Sequence, residues 1–203
     1  MAAPRNDEER ARLYAAAMRL FGEKGYIATS YQDIADACDT SKSVVQHYYP
    51  RKEMLLALFL DKHFDWVREM ACKLSPPHAD IMQTLCMMLF IHFGKLLADE
   101  KGSPLIRDLL SFRTFIEGLV MRERDWLIER LPDSFDQRAV GDSLVVALTG
   151  AYGLLSIASL EGRSITPEYV MRLAFVPFAM SMGADTQHVE EVIKECSLLQ
   201  EAR

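Results

Sequence analysis

No two of the four cysteines, Cys38, Cys72, Cys86 and Cys196, lie close together in the chain. The paired C-x-x-C spacing that builds structural zinc sites is therefore missing, and no metal is expected. Scattered thiols on apolar helical faces fit a reducing compartment, where each acts as a small hydrophobe. Runs that alternate apolar and polar residues are also lacking, which removes β architectures. The longest apolar run, Leu144 to Leu160, is broken by Gly150, Gly153 and several hydroxyls. It reads as short of a membrane span, so no membrane partner is expected. Residues 1–12 are polar and charged, leaving no apolar core of a secretory signal there, and the expected location is cytoplasmic. A basic excess is absent too: the net charge of −6 argues against a protein that coats nucleic acid non-specifically. There is no Gly-rich phosphate loop, no H-E-x-x-H, no nucleophile elbow and no paired acidic motif with a matching base. Nothing points to an enzyme or to a cofactor.

What is present is helical periodicity along nearly the whole of the 203 residues, half of which are hydrophobic. Asn6 reads as the cap of a first helix, with Glu9 three residues on and Leu13, Ala16, Ala17, Leu20 and Phe21 as its apolar stripe. Gly25 stops it. A second helix starts at Ser30, where Ser30-x-x-Asp33 writes a capping box, and buries Ile34, Ala35 and Cys38. Ser41 caps a third, ended by Pro50. A long helix follows over 52–74 and closes at Ser75-Pro76-Pro77. Breaks at Lys101-Gly102-Ser103-Pro104, Leu131-Pro132-Asp133, Glu161-Gly162-Arg163 and Gly183-Ala184-Asp185 delimit further helices near 79–99, 104–114, 115–131, 135–161, 167–182 and 186–201. The reading is all-α: a three-helix head over 1–51 and a larger helical body over 52–203.

The segment from Thr29 to Tyr49 packs two short helices around a tight turn, which is how a helix-turn-helix is written. Residues 1–52 carry eight Lys/Arg and seven Asp/Glu, so the head is close to neutral and the body supplies the acidity. On the third helix Val45, Tyr48 and Tyr49 face inward. Lys42, Ser43, Gln46 and His47 face outward, with Val44 at the boundary. The outward set combines groups that hold phosphates (Lys42, Ser43) with an amide that reads base edges (Gln46). By pattern alone this face is equally a solvated surface in an ordinary bundle.

Residues 10–59 resemble the DNA-binding domain of the TetR family of one-component transcriptional regulators. The marks are Ala16-Ala17-x-x-Leu20-Phe21, Gly25-Tyr26-x-x-Thr29-Ser30, Asp33-Ile34-Ala35, Ser41-Lys42 and His47-Tyr48-Tyr49-Pro50-x-Lys52-Glu53-x-Leu55, in the family's order and spacing. The resemblance implies that Lys42, Ser43, Val44, Gln46 and His47 lie toward the major groove, with Ser41 also counted among the DNA-binding residues. It implies that Ser30, Tyr31 and Gln32 hold phosphates, and that Tyr48 and Lys52 clamp the backbone beyond. Asp39 stands where the family commonly has glycine, Gln46 where an aromatic is common, and Arg51 where a helix cap is usual.

Such a head reads two half-sites of a palindromic operator, so a homodimer is expected. Its surface is sought on the apolar pair near 139–161 and 167–182, in Ala147, Gly150, Ala151, Leu154, Leu155, Phe175, Phe178 and Met182; an intramolecular core is the competing reading. The resemblance also implies a pocket for a small-molecule effector of unidentified structure. Met87, Phe90, His92, Phe112, Phe115 and Trp126 are its candidate lining, suited to a bulky hydrophobic ligand. A Met/Phe stripe is also plain core, and His92 is either a polar anchor or a satisfied core histidine. The expected function is a ligand-responsive transcriptional repressor. An activator of the same fold and a helical adaptor without DNA binding are the alternatives.

Overall fold

A computed structural model describes residues 4–100 and 103–201 of the chain. Among these residues there are ten α-helices and no strand: α1 Pro4–Lys24, α2 Tyr31–Asp36, α3 Lys42–Tyr48, α4 Glu53–Leu74, α5 Ile81–Glu100, α6 Pro104–Ser111, α7 Arg113–Ile128, α8 Gln137–Glu161, α9 Pro167–Ser181 and α10 Thr186–Glu201. The boundaries follow the punctuation in the sequence. Thr166 caps α9 by accepting from the Tyr169 N–H, with Pro167 in the first turn, where a missing N–H costs nothing. Gly162 closes α8 in the left-handed region (φ 66°), a conformation that spares glycine the Cβ clash other residues meet.

Two boundaries differ from expectation. Helix α1 begins at Pro4, so Asn6 lies inside its first turn and does not cap it. The cut between α6 and α7 falls at Phe112, whose extended backbone (φ −99°, ψ 112°) separates the helices without Gly or Pro to announce it. Of the expected break before α6, Lys101 and Gly102 lie outside the described residues.

The chain divides into two compact units, Met1–Lys62 with Asp99–Ser111, and His63–Ala98 with Phe112–Arg203. This corrects the expected cut after residue 51. Helix α4 gives its first half to one unit and its second half to the other, and α6 joins the head by packing on α1. Sequence periodicity marks a helix but not which neighbour covers it, so the return of α6 was invisible.

The first unit is built on Leu13, Ala17 and Phe21 of α1, Ile34 and Ala35 of α2, Val45 of α3, and Tyr49 and Leu55, all buried. Asp108 of α6 fastens the loop after α1 by accepting from the Ile27 N–H at 2.9 Å. Gly25 makes room for this contact. Its φ is 93°, and a Cβ there would stand 2.6 Å from Asp108 Oδ2.

In the second unit α8 packs against both α7 and α9, and α9 against α10. The core includes Leu85, Met87, Leu89 and Phe93 of α5, Leu144, Leu148, Tyr152 and Leu155 of α8, and Phe175 and Phe178 of α9. By length and composition two helices among the described residues could cross a bilayer: α5 over Ile81–Ala98 (mean hydropathy 1.6) and α8 (1.8). This corrects the reading of the α8 run as too short. Over half of the α5 window is buried inside the protein, as expected of a core helix, whereas a third of the α8 window is.

Candidate nucleic-acid interface

The helix-turn-helix is assembled by local hydrogen bonds that its sequence specifies. Ser30 caps α2 with a complete capping box: its hydroxyl accepts from the Asp33 N–H at 3.2 Å, and the Asp33 carboxylate accepts from the Ser30 N–H at 2.6 Å. Lys24 of α1 pairs with the same carboxylate at 2.7 Å. Lys24 first, and then Ser30, hold Asp33 well below the usual carboxylate range. Between the helices the chain reverses at Asp39, whose φ of 47° is the left-handed conformation. Asp tolerates it better than most non-glycine residues, so the off-pattern residue leaves the turn intact. The Thr40 N–H then returns to the Ala35 carbonyl at 3.0 Å.

Ser41 caps α3 by accepting from the Val44 N–H at 3.4 Å, and its hydroxyl lies 2.8 Å from that of Ser43. Val45 and Tyr49 anchor the helix in the core, and the Tyr49 hydroxyl donates to the Arg10 carbonyl at 3.0 Å. The opposite face carries Lys42, Ser43, Gln46 and His47, all exposed, with Val44 and Tyr48 half-buried at its edges. An ammonium, a hydroxyl, an amide and an imidazole thus share one solvent-facing strip at the start of a helix, where unpaired N–H groups also favour an anion.

Three expected phosphate holders are already engaged. The Tyr31 hydroxyl donates to the Tyr49 carbonyl at 2.7 Å, tying α2 to the end of α3. The Gln32 amide donates to Asp36 at 2.7 Å. Lys52 departs furthest from expectation. Its ammonium donates to the carbonyls of Tyr26 and Thr29 at 2.6 and 2.8 Å and lies 4.1 Å from the Tyr26 ring centroid. Burial lowers its pKa, against the raising influence of Glu53, Asp108 and Asp33. It bolts the loop before α2 to the start of α4, and at most one of its three donors remains for a phosphate.

The candidate effector residues are mostly closed core. Met87, Phe90, His92 and Phe115 are buried, while Phe112 is half-buried beside the α6–α7 break. Trp126 differs: it forms a wall of an open groove of about 830 Å³, with Asp65, Arg68, Glu69 and Cys72 of α4, Ile81 and Thr84 of α5, and Arg130. His92 is a satisfied core residue with unexpected partners. Its Nδ1 lies 2.8 Å from His63 Nε2 and its Nε2 lies 2.6 Å from the Tyr152 hydroxyl. No group of three His, Cys, Asp or Glu side chains suited to a metal occurs among the described residues.

The candidate dimer residues divide in the same way. Ala151, Leu155, Phe175 and Phe178 are buried in the chain's own core, a correction to their placement on a shared surface. Gly150 is exposed, and Ala147, Leu154 and Met182 are partly so. The apolar side chains that stay uncovered on this helix pair are Val146 (73% exposed), Ile157 and Leu160 (87%) on α8, with Tyr169, Leu173 and Met180 on α9. The recurrence of 146, 150, 153, 157 and 160 at alternating steps of four and three was the signal available.

Comparison with known proteins agrees with this geometry. Residues 13–58 match the sequence pattern of the family described as bacterial regulatory proteins, tetR family. Over 58 residues the chain is 40% identical to the HTH-type transcriptional regulator YuxN of Bacillus subtilis, covering 29% of this chain and 20% of YuxN. It is 26% identical over 136 residues to the HTH-type transcriptional repressor KstR of Mycobacterium tuberculosis, covering 66% of this chain and 60% of KstR. The matches thus span a fifth and three fifths of these relatives' lengths. The fold is similar to that of RolR solved without ligand (TM-score 0.57, 16% identity, 92% of this chain and 96% of RolR). It is also similar to a tetR-family transcriptional regulator from Streptomyces coelicolor (TM-score 0.53, 19% identity, 98% and 90% of the two chains).

Proposed function

We propose that the chain is a member of the TetR family of transcriptional regulators and, on that premise, a homodimeric repressor that binds a palindromic operator and leaves it when a small effector binds the second unit. The observation that carries the reading is the exposed strip of Lys42, Ser43, Gln46 and His47 on a helix held rigidly by Ser41, Val45 and Tyr49. Lys42 and Ser43 take the phosphate roles and Gln46 reads bases, with His47 beside it. KstR, named as a repressor, supports that direction of regulation.

The dimer follows from surface chemistry. Val146, Ile157, Leu160, Tyr169, Leu173 and Met180 form an apolar face on adjacent helices. A second copy covers it by two-fold symmetry. Beside it Pro177 and Val146 border a depression of about 330 Å³ able to receive a partner side chain. Helix α4 is the mechanical link, since it is continuous from the head into the second unit. An effector that favours one position of α4 changes the spacing of the two recognition helices and thereby operator affinity. A cytoplasmic location fits this role and the free thiols.

Selection of bound duplexes from a random-sequence pool tests the reading. Enrichment of an inverted repeat, with affinity falling steeply as salt rises, is the expected result. Retention of duplexes with no enriched sequence refutes it.

A further inference from the structure

Helix α7 carries two buried polar atoms with no hydrogen-bond partner among the described residues, Glu123 Oε2 and Trp126 Nε1. The residues are 2% and 6% exposed. At a spacing of three they share one helical face. Native interiors leave few such groups, because each forfeits its bonds to water for nothing in return. The two are also complementary: an indole N–H only donates, and a carboxyl oxygen can accept.

Their surroundings define what would complete them. Trp126 forms a wall of the 830 Å³ groove that lies among α4, α5 and α7. The charges on its rim are engaged locally: Arg68 with Asp65 at 3.1 Å, Glu69 with Lys73 at 2.6 Å, and Arg130 with the Trp126 carbonyl at 3.0 Å. Asp80 caps α5 through the Gln83 N–H. Deeper in the unit Glu123 acts electrostatically on Tyr152, which is bonded to His92 and through it to His63. Desolvation raises the Glu123 carboxyl to about 8 and depresses the His92 imidazole, and the guanidinium nearest Trp126, that of Arg130, lies over the ring face, 5.0 Å from its centroid, with hydrogen bonds to the Trp126 carbonyl and Glu129. A hydroxyl both accepts and donates, so one such group can take the Trp126 N–H and give its proton to Glu123 Oε2. An ammonium cannot accept from the indole, and a carboxylate has no proton to give Glu123 Oε2.

We propose that Glu123 and Trp126 form the polar end of a binding site, entered from this groove, for a neutral amphiphile carrying a hydroxyl on an apolar body. The proposal rests on the effector reading above and names the ligand class.

The test uses the full-length protein with Trp66→Phe, which leaves Trp126 as the sole tryptophan. Trp126 emission is titrated at neutral pH with 1-octanol, octanoate and octylammonium, three heads on one tail. Octanol is expected to bind at least tenfold more tightly than either ion. Glu123→Gln, which keeps a hydrogen-bonding head, is expected to retain the preference, and Glu123→Leu to abolish it. Circular dichroism confirms that each variant is folded. Equal binding of the three probes, tighter binding of an ion, no binding, or identical behaviour of the Gln and Leu variants each overturns the site. Operator release is read separately. If octanol binds as described yet leaves DNA affinity unchanged, the effector reading fails and the site stands. If an unrelated molecule releases DNA while octanol does not bind, the effector reading stands and the site fails.

Discussion

Replacing Glu123 by Gln should change how stability responds to pH. Burial alone raises the Glu123 carboxyl to about 8 from its ordinary 4.5. Between these values the folded protein holds a proton that the unfolded chain has released, so stability falls as pH rises through the window. Below pH 4.5 both states are protonated and the penalty vanishes. At pH 7 the loss is about 3 kcal/mol, and above pH 8 it approaches the full value of about 5 kcal/mol, taking 1.36 kcal/mol for each tenfold difference in proton affinity. His92 acts in the opposite sense. Its burial, aided by His63, depresses its pKa well below the usual 6.5, so stability falls as pH drops below that value. Because Glu123→Gln leaves His92 in place, the difference between wild type and variant isolates the carboxyl. Urea unfolding near pH 5 and near pH 9 measures it. The variant should gain about 4 kcal/mol relative to wild type between the two conditions. Parallel stability curves, differing by less than about 1 kcal/mol across the range, would refute a buried neutral carboxyl at this position.

Other substitutions probe the head and the exposed face. Ser30→Ala removes the hydroxyl half of the capping box, keeping the backbone N–H bond to Asp33, and should cost about 1 kcal/mol in thermal unfolding. Lys52→Ala deletes two charged hydrogen bonds to the Tyr26 and Thr29 carbonyls and should destabilise the DNA-free protein by roughly 2–3 kcal/mol; unchanged thermal stability would return Lys52 to a purely phosphate-binding role. Gln46→Ala, on an exposed position, should leave stability within about 0.5 kcal/mol and alter preference among operator sequences, read by competition binding. Leu160→Asp together with Ile157→Asp should convert the dimer to a folded monomer by light scattering, with operator affinity lost alongside.

The helices and the reading head were legible because their determinants are local. Ser30 with Asp33, Ser41, Gly25 and Pro167 act within a turn or two of their own position, and the structure shows each in its expected role. Asp39 illustrates the point: its chemistry allows a left-handed turn, and its φ is 47°. The reach of Lys52, the return of α6 to α1, and the division of α8 and α9 between inner and outer faces were not legible. Each depends on groups distant in the chain, such as Asp108 meeting Ile27 across 81 positions.

Amphipathic periodicity and capping chemistry by themselves determined that this protein is all-helical and presents Lys42, Ser43, Gln46 and His47 to solvent on a short third helix. Only the tertiary structure decided which apolar residues are core and which stay exposed. It buried Phe175 and Phe178 and left Val146 and Leu160 exposed. It also brought His63, His92 and Tyr152 into one hydrogen-bonded chain and left Glu123 Oε2 and Trp126 Nε1 unpaired, the tryptophan forming a wall of a groove. The physical reason is one of range. A helix closes its own backbone bonds within four residues, whereas burial and side-chain partnership are settled by whatever the rest of the fold places opposite.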